Sequence, residues 1–241
     1  MSIRDNLDIS AYLVLGPENT LGRPVGDVVA QALDAGFTCI QVRSKVASAR
    51  EIIALTGDAA QAIAQAGKTG QVALLIDDRL DCVLAAREQG IAVDGVHVGQ
   101  SDIPVEVCRK LLGPNAIVGL SARCEEMLEY VKTADMSLVD YLGIGPLHET
   151  ETKRDCGRAA DGSIITKSFE DLAALHAASP VPIVVGGGVK TAAQGHRRRR
   201  LLCGERGLQC RRPPRRSQGA RRYLAAGIGI SRAADSQSHI F

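Results

Sequence analysis

Thr38-Cys39-Ile40-Gln41-Val42-Arg43-Ser44-Lys45 opens as a short apolar run and closes on alternating polar groups. A run this short and this rich in β-formers suits a strand buried on both faces. Side chains of extended chain alternate sides, so Gln41, Arg43 and Lys45 share one side of the strand end. Six more such runs occur, at Ala11–Leu15, Val72–Ile76, Gly95–Val98, Ile117–Leu120, Tyr141–Ile144 and Pro182–Val185. Between them lie stretches rich in Ala, Leu and Glu: Val25–Ala35, Ala49–Ala66, Leu80–Gln89, Val105–Leu112, Glu125–Thr133 and Phe169–Ala178. Pro104 fits a helix start, and Gly36, Gly67 and Gly90 fit helix stops. The alternation predicts an α/β fold of parallel strands with right-handed crossovers. Seven units with an eighth expected predict a TIM (β/α)8 barrel. A doubly wound open sheet would carry a G-x-G-x-x-G turn after its first strand, and that pattern is absent.

The 241 residues are 45% hydrophobic and 23% charged, a globular balance that excludes wholesale disorder. With 3% aromatics and no Trp, the chain offers few stacking platforms for nucleic acid. No apolar run nears the roughly 20 residues of a membrane span. The stretch Met1–Asn6 begins no signal peptide, so the expected compartment is the cytoplasm. The seven cysteines form no CxxC pair and read as core fillers rather than disulfides or a zinc site.

In a barrel the chemistry sits where the strands end. Gln41, Arg43 and Lys45 there suit an anionic, hydrogen-bonding ligand, against the plainer reading of a solvated strand end. The third strand ends in Asp77-Asp78-Arg79, and the fourth runs through His97 to Gly99-Gln100-Ser101-Asp102. Carboxylates from adjacent strands can share Mg²⁺ with phosphate oxygens. The plainer alternative pairs Asp78 with Arg79 and makes Asp102 the cap of the next helix. Ser121 ends the fifth strand and offers a hydroxyl. After the sixth, Gly143-Ile144-Gly145-Pro146 leads to Thr150-Glu151-Thr152-Lys153, in a loop long enough to act as a lid. Gly186-Gly187-Gly188 after the seventh suits backbone amides approaching a phosphate. His97 reads as a packed strand residue, and His148 as structural or incidental.

Taken in order along successive strand ends, these motifs resemble the thiamine-phosphate synthase family over about residues 11–190. The resemblance implies a cytoplasmic transferase of thiamine biosynthesis. Such an enzyme joins hydroxymethylpyrimidine diphosphate to a thiazole phosphate, giving thiamine phosphate and diphosphate. It further implies that Gln41, Val42, Arg43, Ser44, Lys45 and Lys153 hold the pyrimidine diphosphate, with Asp77 beside them. Asp78 and Asp102 would bind Mg²⁺, and Ser121 would contact the pyrimidine. Thr150, Glu151, Thr152 and Gly188 would contact the thiazole phosphate. Lys153, Arg43 and Ser121 are the implied catalytic groups. Asp77 stands where the family usually has Asn, a second negative charge in place of a neutral donor.

The resemblance stops near Ala193. Residues 1–194 hold 17 basic and 25 acidic side chains, a net charge of −8, whereas residues 195–241 hold 12 and 2, a net charge of +10. Eleven arginines fall in residues 195–222. Such a composition arises when GC-rich coding DNA is read out of frame. The expectation is therefore a barrel domain over 1–194, a missing or disrupted eighth β/α unit, and a disordered Arg-rich tail over 195–241. A nucleic-acid-binding arm is the weaker reading of that tail. Partners are otherwise small phosphorylated molecules, with no membrane, and a homo-oligomer is compatible with this picture. Two alternatives stay open: a thiazole-tautomerase-like barrel, and a catalytically impaired remnant that only binds ligand.

Overall fold

The computed structural model describes residues 2–121, 124–145, 169–186 and 224–228. Eight parallel strands follow one another around a closed barrel: β1 (Tyr12–Leu15), β2 (Cys39–Val42), β3 (Ala73–Asp77), β4 (Gly95–Val98), β5 (Ile117–Ser121), β6 (Tyr141–Ile144), β7 (Ile183–Gly186) and β8 (Leu224–Ile228). Among the described residues the α-helices are α1 (Val25–Asp34), α2 (Ala49–Gln65), α3 (Leu80–Glu88), α4 (Val105–Leu112), α5 (Cys124–Thr133) and α6 (Phe169–Ala178). The first seven strands and the six described α-helices fall within one residue of the runs read from the sequence.

The eighth unit, expected to be missing or disrupted, is described as a strand alone. β8 pairs with β7 from Leu224 to Gly227 and with β1 at Gly227 and Ile228, which closes the wall. Five residues of the 195–241 stretch thus pair within the barrel wall. Without them, β1 and β7 would leave two edges of unpaired backbone groups. The connection 187–223 and residues 229–241 lie outside the described residues, as does the expected disorder of the tail.

Alternation of side chains sorts each strand into an inner and an outer face. Tyr12, Cys39, Ala73, Leu75, Ile117, Tyr141 and Val184 point inward and pack together with Ile9. Their neighbours point outward to the helices. Leu13, Leu15, Ile40, Val42 and Leu74 meet α1 and α2, while Val96, Val98, Val118, Leu120, Leu142 and Ile144 meet the later helices. Cys39, Cys82 and Cys108 are buried free thiols, as core fillers should be.

Local signals fix the helix ends. Ser48 and Glu51 form a reciprocal capping box at the start of α2, with Glu51 Oε2 accepting from the Ser48 amide at 2.7 Å. Pro104 precedes α4, and Gly113 ends it at φ 84°. At the N-terminal end of the barrel, Asp140 accepts from Arg4 Nε at 2.6 Å, Arg109 Nη2 at 2.8 Å and the Val118 amide at 2.7 Å. That network ties the N-terminal turn, Ile3–Asn6, to the strands. The opposite end, where the strands finish, carries the functional groups.

Candidate active site

Three of the polar strand-end residues form one clamp. Gln41 and Asp77 sit in interior register on neighbouring strands, two residues beyond Cys39 and Leu75. The Gln41 amide donates to Asp77 Oδ1 at 2.7 Å, and Arg43 Nε lies 3.0 Å from Asp77 Oδ2. Asp77 therefore uses both oxygens to aim the Gln41 amide and the Arg43 guanidinium. Gln41 is buried, so this polar group is satisfied where an orphan would cost about 1–3 kcal/mol.

Asp78, one residue on, has φ 59°, in the left-handed region that Asp and Asn tolerate better than most residues. Its amide donates to the His97 carbonyl at 2.7 Å, which holds the turn against β4. Its carboxylate takes Lys45 Nζ at 2.5 Å. Burial pushes the Asp78 carboxyl up, but the Lys45 hydrogen bond and charge outweigh it and hold the group below the usual carboxylate range. The plainer pairing with Arg79 is corrected: Arg79 forks onto Asp81 at 2.6 and 2.8 Å.

Asp102 does not cap α4 either, since Pro104 occupies that position. Its carboxylate turns back to accept from the Gly99 amide at 2.7 Å and meets Asp78 across the β3–β4 mouth. Burial pushes its pKa up, the Gly99 amide pulls it down, and the Asp78 charge pushes it up again, for a net rise. Two carboxylates held together against their mutual repulsion form a hard-oxygen donor pair that suits Mg²⁺. That ion takes one or two protein carboxylates and fills its shell with water and phosphate. Among the described residues no group of three or more His, Cys, Asp or Glu side chains forms a fuller cage.

The remaining expected residues divide by position. Ser121 lies at the mouth end of β5 with its Oγ 2.6 Å from His97 Nε2. The Ser44 hydroxyl donates to Glu18 at 2.7 Å and accepts from the Ala47 amide at 2.9 Å, so it braces the loop. The Val42 side chain packs outward against the helices, leaving only its backbone for a ligand. His148, Thr150, Glu151, Thr152, Lys153 and Gly188 lie outside the described residues.

Two residues passed over in the sequence also shape the site. Glu18 receives the Ser44 hydroxyl and the Lys45 amide, both at 2.7 Å, and so docks the loop after β1 onto the end of β2. His97 is buried as expected, but it also links Ser121 to Tyr141, whose hydroxyl lies 2.7 Å from Nδ1. Glycines make room for this chain. A Cβ on Gly119 would stand 2.2 Å from the Tyr141 ring, and one on Gly143 would stand 2.7 Å from Ser121 Oγ. Neither glycine tolerates a side chain without displacing buried neighbours.

No helix among the described residues is long and apolar enough to cross a membrane. The thiamine monophosphate synthase family model matches residues 11–197. The chain is 38% identical over 187 residues to the thiamine-phosphate synthase of Corynebacterium efficiens, covering 78% of this chain and 80% of that one. It is 36% identical over 178 residues to the thiamine-phosphate synthase of Moorella thermoacetica, covering 74% and 76%. The fold is similar to the solved thiamine phosphate pyrophosphorylase from Pyrococcus furiosus, with TM-score 0.56, 30% identity and 78% of each chain covered. A barrel whose strand ends carry these motifs in this order, and whose sequence matches over most of its length, belongs to the thiamine monophosphate synthase family.

Proposed function

We infer that this chain condenses hydroxymethylpyrimidine diphosphate with a thiazole phosphate to give thiamine phosphate and diphosphate. The observation that carries the reading is the convergence at the ends of β2, β3 and β4. There Asp77 aims Gln41 and Arg43, and Lys45 meets the paired carboxylates Asp78 and Asp102. Cations beside a carboxylate pair match a magnesium diphosphate.

The reaction breaks the C–O bond between the pyrimidine methylene and diphosphate, and both electrons leave with the oxygen. Asp78 and Asp102 would hold Mg²⁺, which would supply neutralising charge for that leaving group. Arg43 and Lys45 do the same through preorganised N–H groups, and Lys153 is assigned with them. The pyrimidine left behind is cationic, and its ring amino group shares the charge. The thiazole nitrogen then attacks the methylene carbon with its lone pair. That nitrogen carries no proton, so no general base is needed. Ser121 meets the pyrimidine, while Thr150, Glu151, Thr152 and Gly188 hold the thiazole phosphate. Positioning of the two rings supplies much of the remaining acceleration. Both substrates are charged small molecules, which supports a cytoplasmic reaction.

The test is an assay of the full chain with both substrates. Thiamine phosphate and diphosphate should appear in equal amounts with Mg²⁺ and fall at least tenfold in EDTA. Binding of both substrates without turnover would instead mark an impaired remnant. Equal rates in EDTA would remove the metal from the proposal.

A further inference from the structure

Through the centre of the barrel runs a continuous polar chain. Tyr12 Oη lies 2.7 Å from Tyr141 Oη, Tyr141 Oη lies 2.7 Å from His97 Nδ1, and His97 Nε2 lies 2.6 Å from Ser121 Oγ. The His97 and Tyr141 rings stack with centroids 5.4 Å apart, so neither ring turns without moving the other. Glycines 119 and 143 leave space for it, as shown above. Four side chains from β1, β4, β5 and β6 are thus committed to a line that ends in the mouth.

A core made only for stability gains little from such a line, because apolar side chains of the same shape would fill the space without desolvating four polar groups. The line does something packing cannot. Burial pushes the phenols of Tyr12 and Tyr141 well up, so both keep their protons. A neutral imidazole has one donor and one acceptor nitrogen, and each hydroxyl donates once. The four groups therefore supply four protons for three links. Either Ser121 points its proton into the mouth, or it donates to His97 Nε2 and every later link follows: His97 Nδ1–H to Tyr141, and Tyr141 O–H to Tyr12. In the second arrangement the Tyr12 proton turns toward the adjacent Cys39. Ser121 then shows only lone pairs to the mouth.

We propose that His97 is a positioning residue that, backed by Tyr141 and Tyr12, accepts the Ser121 hydrogen bond and so turns the serine lone pairs toward the cationic pyrimidine. This inference rests on the Ser121 contact proposed above. An oxygen acceptor facing a developing positive charge stabilises the transition state more than the ground state, so the effect falls on kcat.

The test measures kcat, KM and melting temperature for the full chain carrying S121A, H97N, H97Q and the S121A/H97N pair. Asn at position 97 reaches the Tyr141 side but stops short of Ser121, whereas Gln reaches Ser121. The expected result for H97N is a kcat loss of about 10- to 50-fold, with KM changed less than about threefold. H97Q should recover to within about fivefold of the unsubstituted chain, and the double variant should match S121A alone within about threefold, because the two act as one unit. A silent H97N, or losses that multiply in the double variant, would overturn the inference and leave the Ser121 contact standing. A silent S121A would overturn the contact itself and the inference with it.

Discussion

Asp78→Asn should lower turnover by about 100- to 1,000-fold with little change in melting temperature. Asn tolerates the positive φ at this position, so the turn and its amide bond to His97 persist. What disappears is charge. Lys45 loses the Asp78 charge, and Asp102 is left as the remaining carboxylate of the pair. Losing one preorganised electrostatic contact to a developing anion typically costs about 10²–10³ in rate. The Mg²⁺ needed for half-maximal rate should rise at least tenfold, because one hard-oxygen donor is gone. Near-normal rates at the same Mg²⁺ concentration would contradict the assignment of Asp78.

The second large effect is expected at Arg43. Arg43→Ala should reduce kcat/KM for the pyrimidine diphosphate by about 100-fold or more, with a smaller effect on the thiazole phosphate. The substitution removes a cation and also leaves Asp77 Oδ2 without its guanidinium. The Asp77 charge then faces the incoming diphosphate, so the loss exceeds that of one hydrogen bond. Arg43→Lys should recover only part of the rate, since an ammonium restores the charge but not the planar fork. Equal losses for both substrates would place Arg43 between the two rings instead of at the diphosphate.

The geometry also resolves what Asp77 does. In sequence it is an extra negative charge beside a diphosphate site. In the fold its two oxygens are engaged by Gln41 and Arg43, so it serves as the hinge of a donor pair.

Legibility followed the physics of each signal. An apolar run ending in polar residues declares a strand and its mouth together, so Gln41, Arg43, Asp78, Asp102 and Ser121 could be placed at strand ends from the sequence, while their roles rested on the family resemblance. His97 could not, because a lone imidazole inside Gly95–Val98 looks like packing. Its partners, Ser121 and Tyr141, lie 24 and 44 residues away and become visible only when β4, β5 and β6 are side by side. Glu18 has no motif around it, and its role depends on a loop contact 26 residues distant. The plainer alternative for Asp102, a helix cap, fails because Pro104 starts α4 and leaves the carboxylate for the Gly99 amide. Leu224–Ile228 was hidden by its setting: a short apolar run following a dense arginine stretch offers no periodic signal of its own. Its partners on β1 and β7 supply the reason for it to be a strand.

The central claim is that the β2–β4 end of the barrel grips a diphosphate through cations and a carboxylate-held metal. Calorimetric titration of the full chain with inorganic pyrophosphate tests it most directly. Binding should be saturable with Mg²⁺ present and weaken at least tenfold in EDTA, and Asp78→Asn should reduce that difference at the same Mg²⁺ concentration. Binding of equal strength with and without Mg²⁺, or unaltered by Asp78→Asn, would contradict the account.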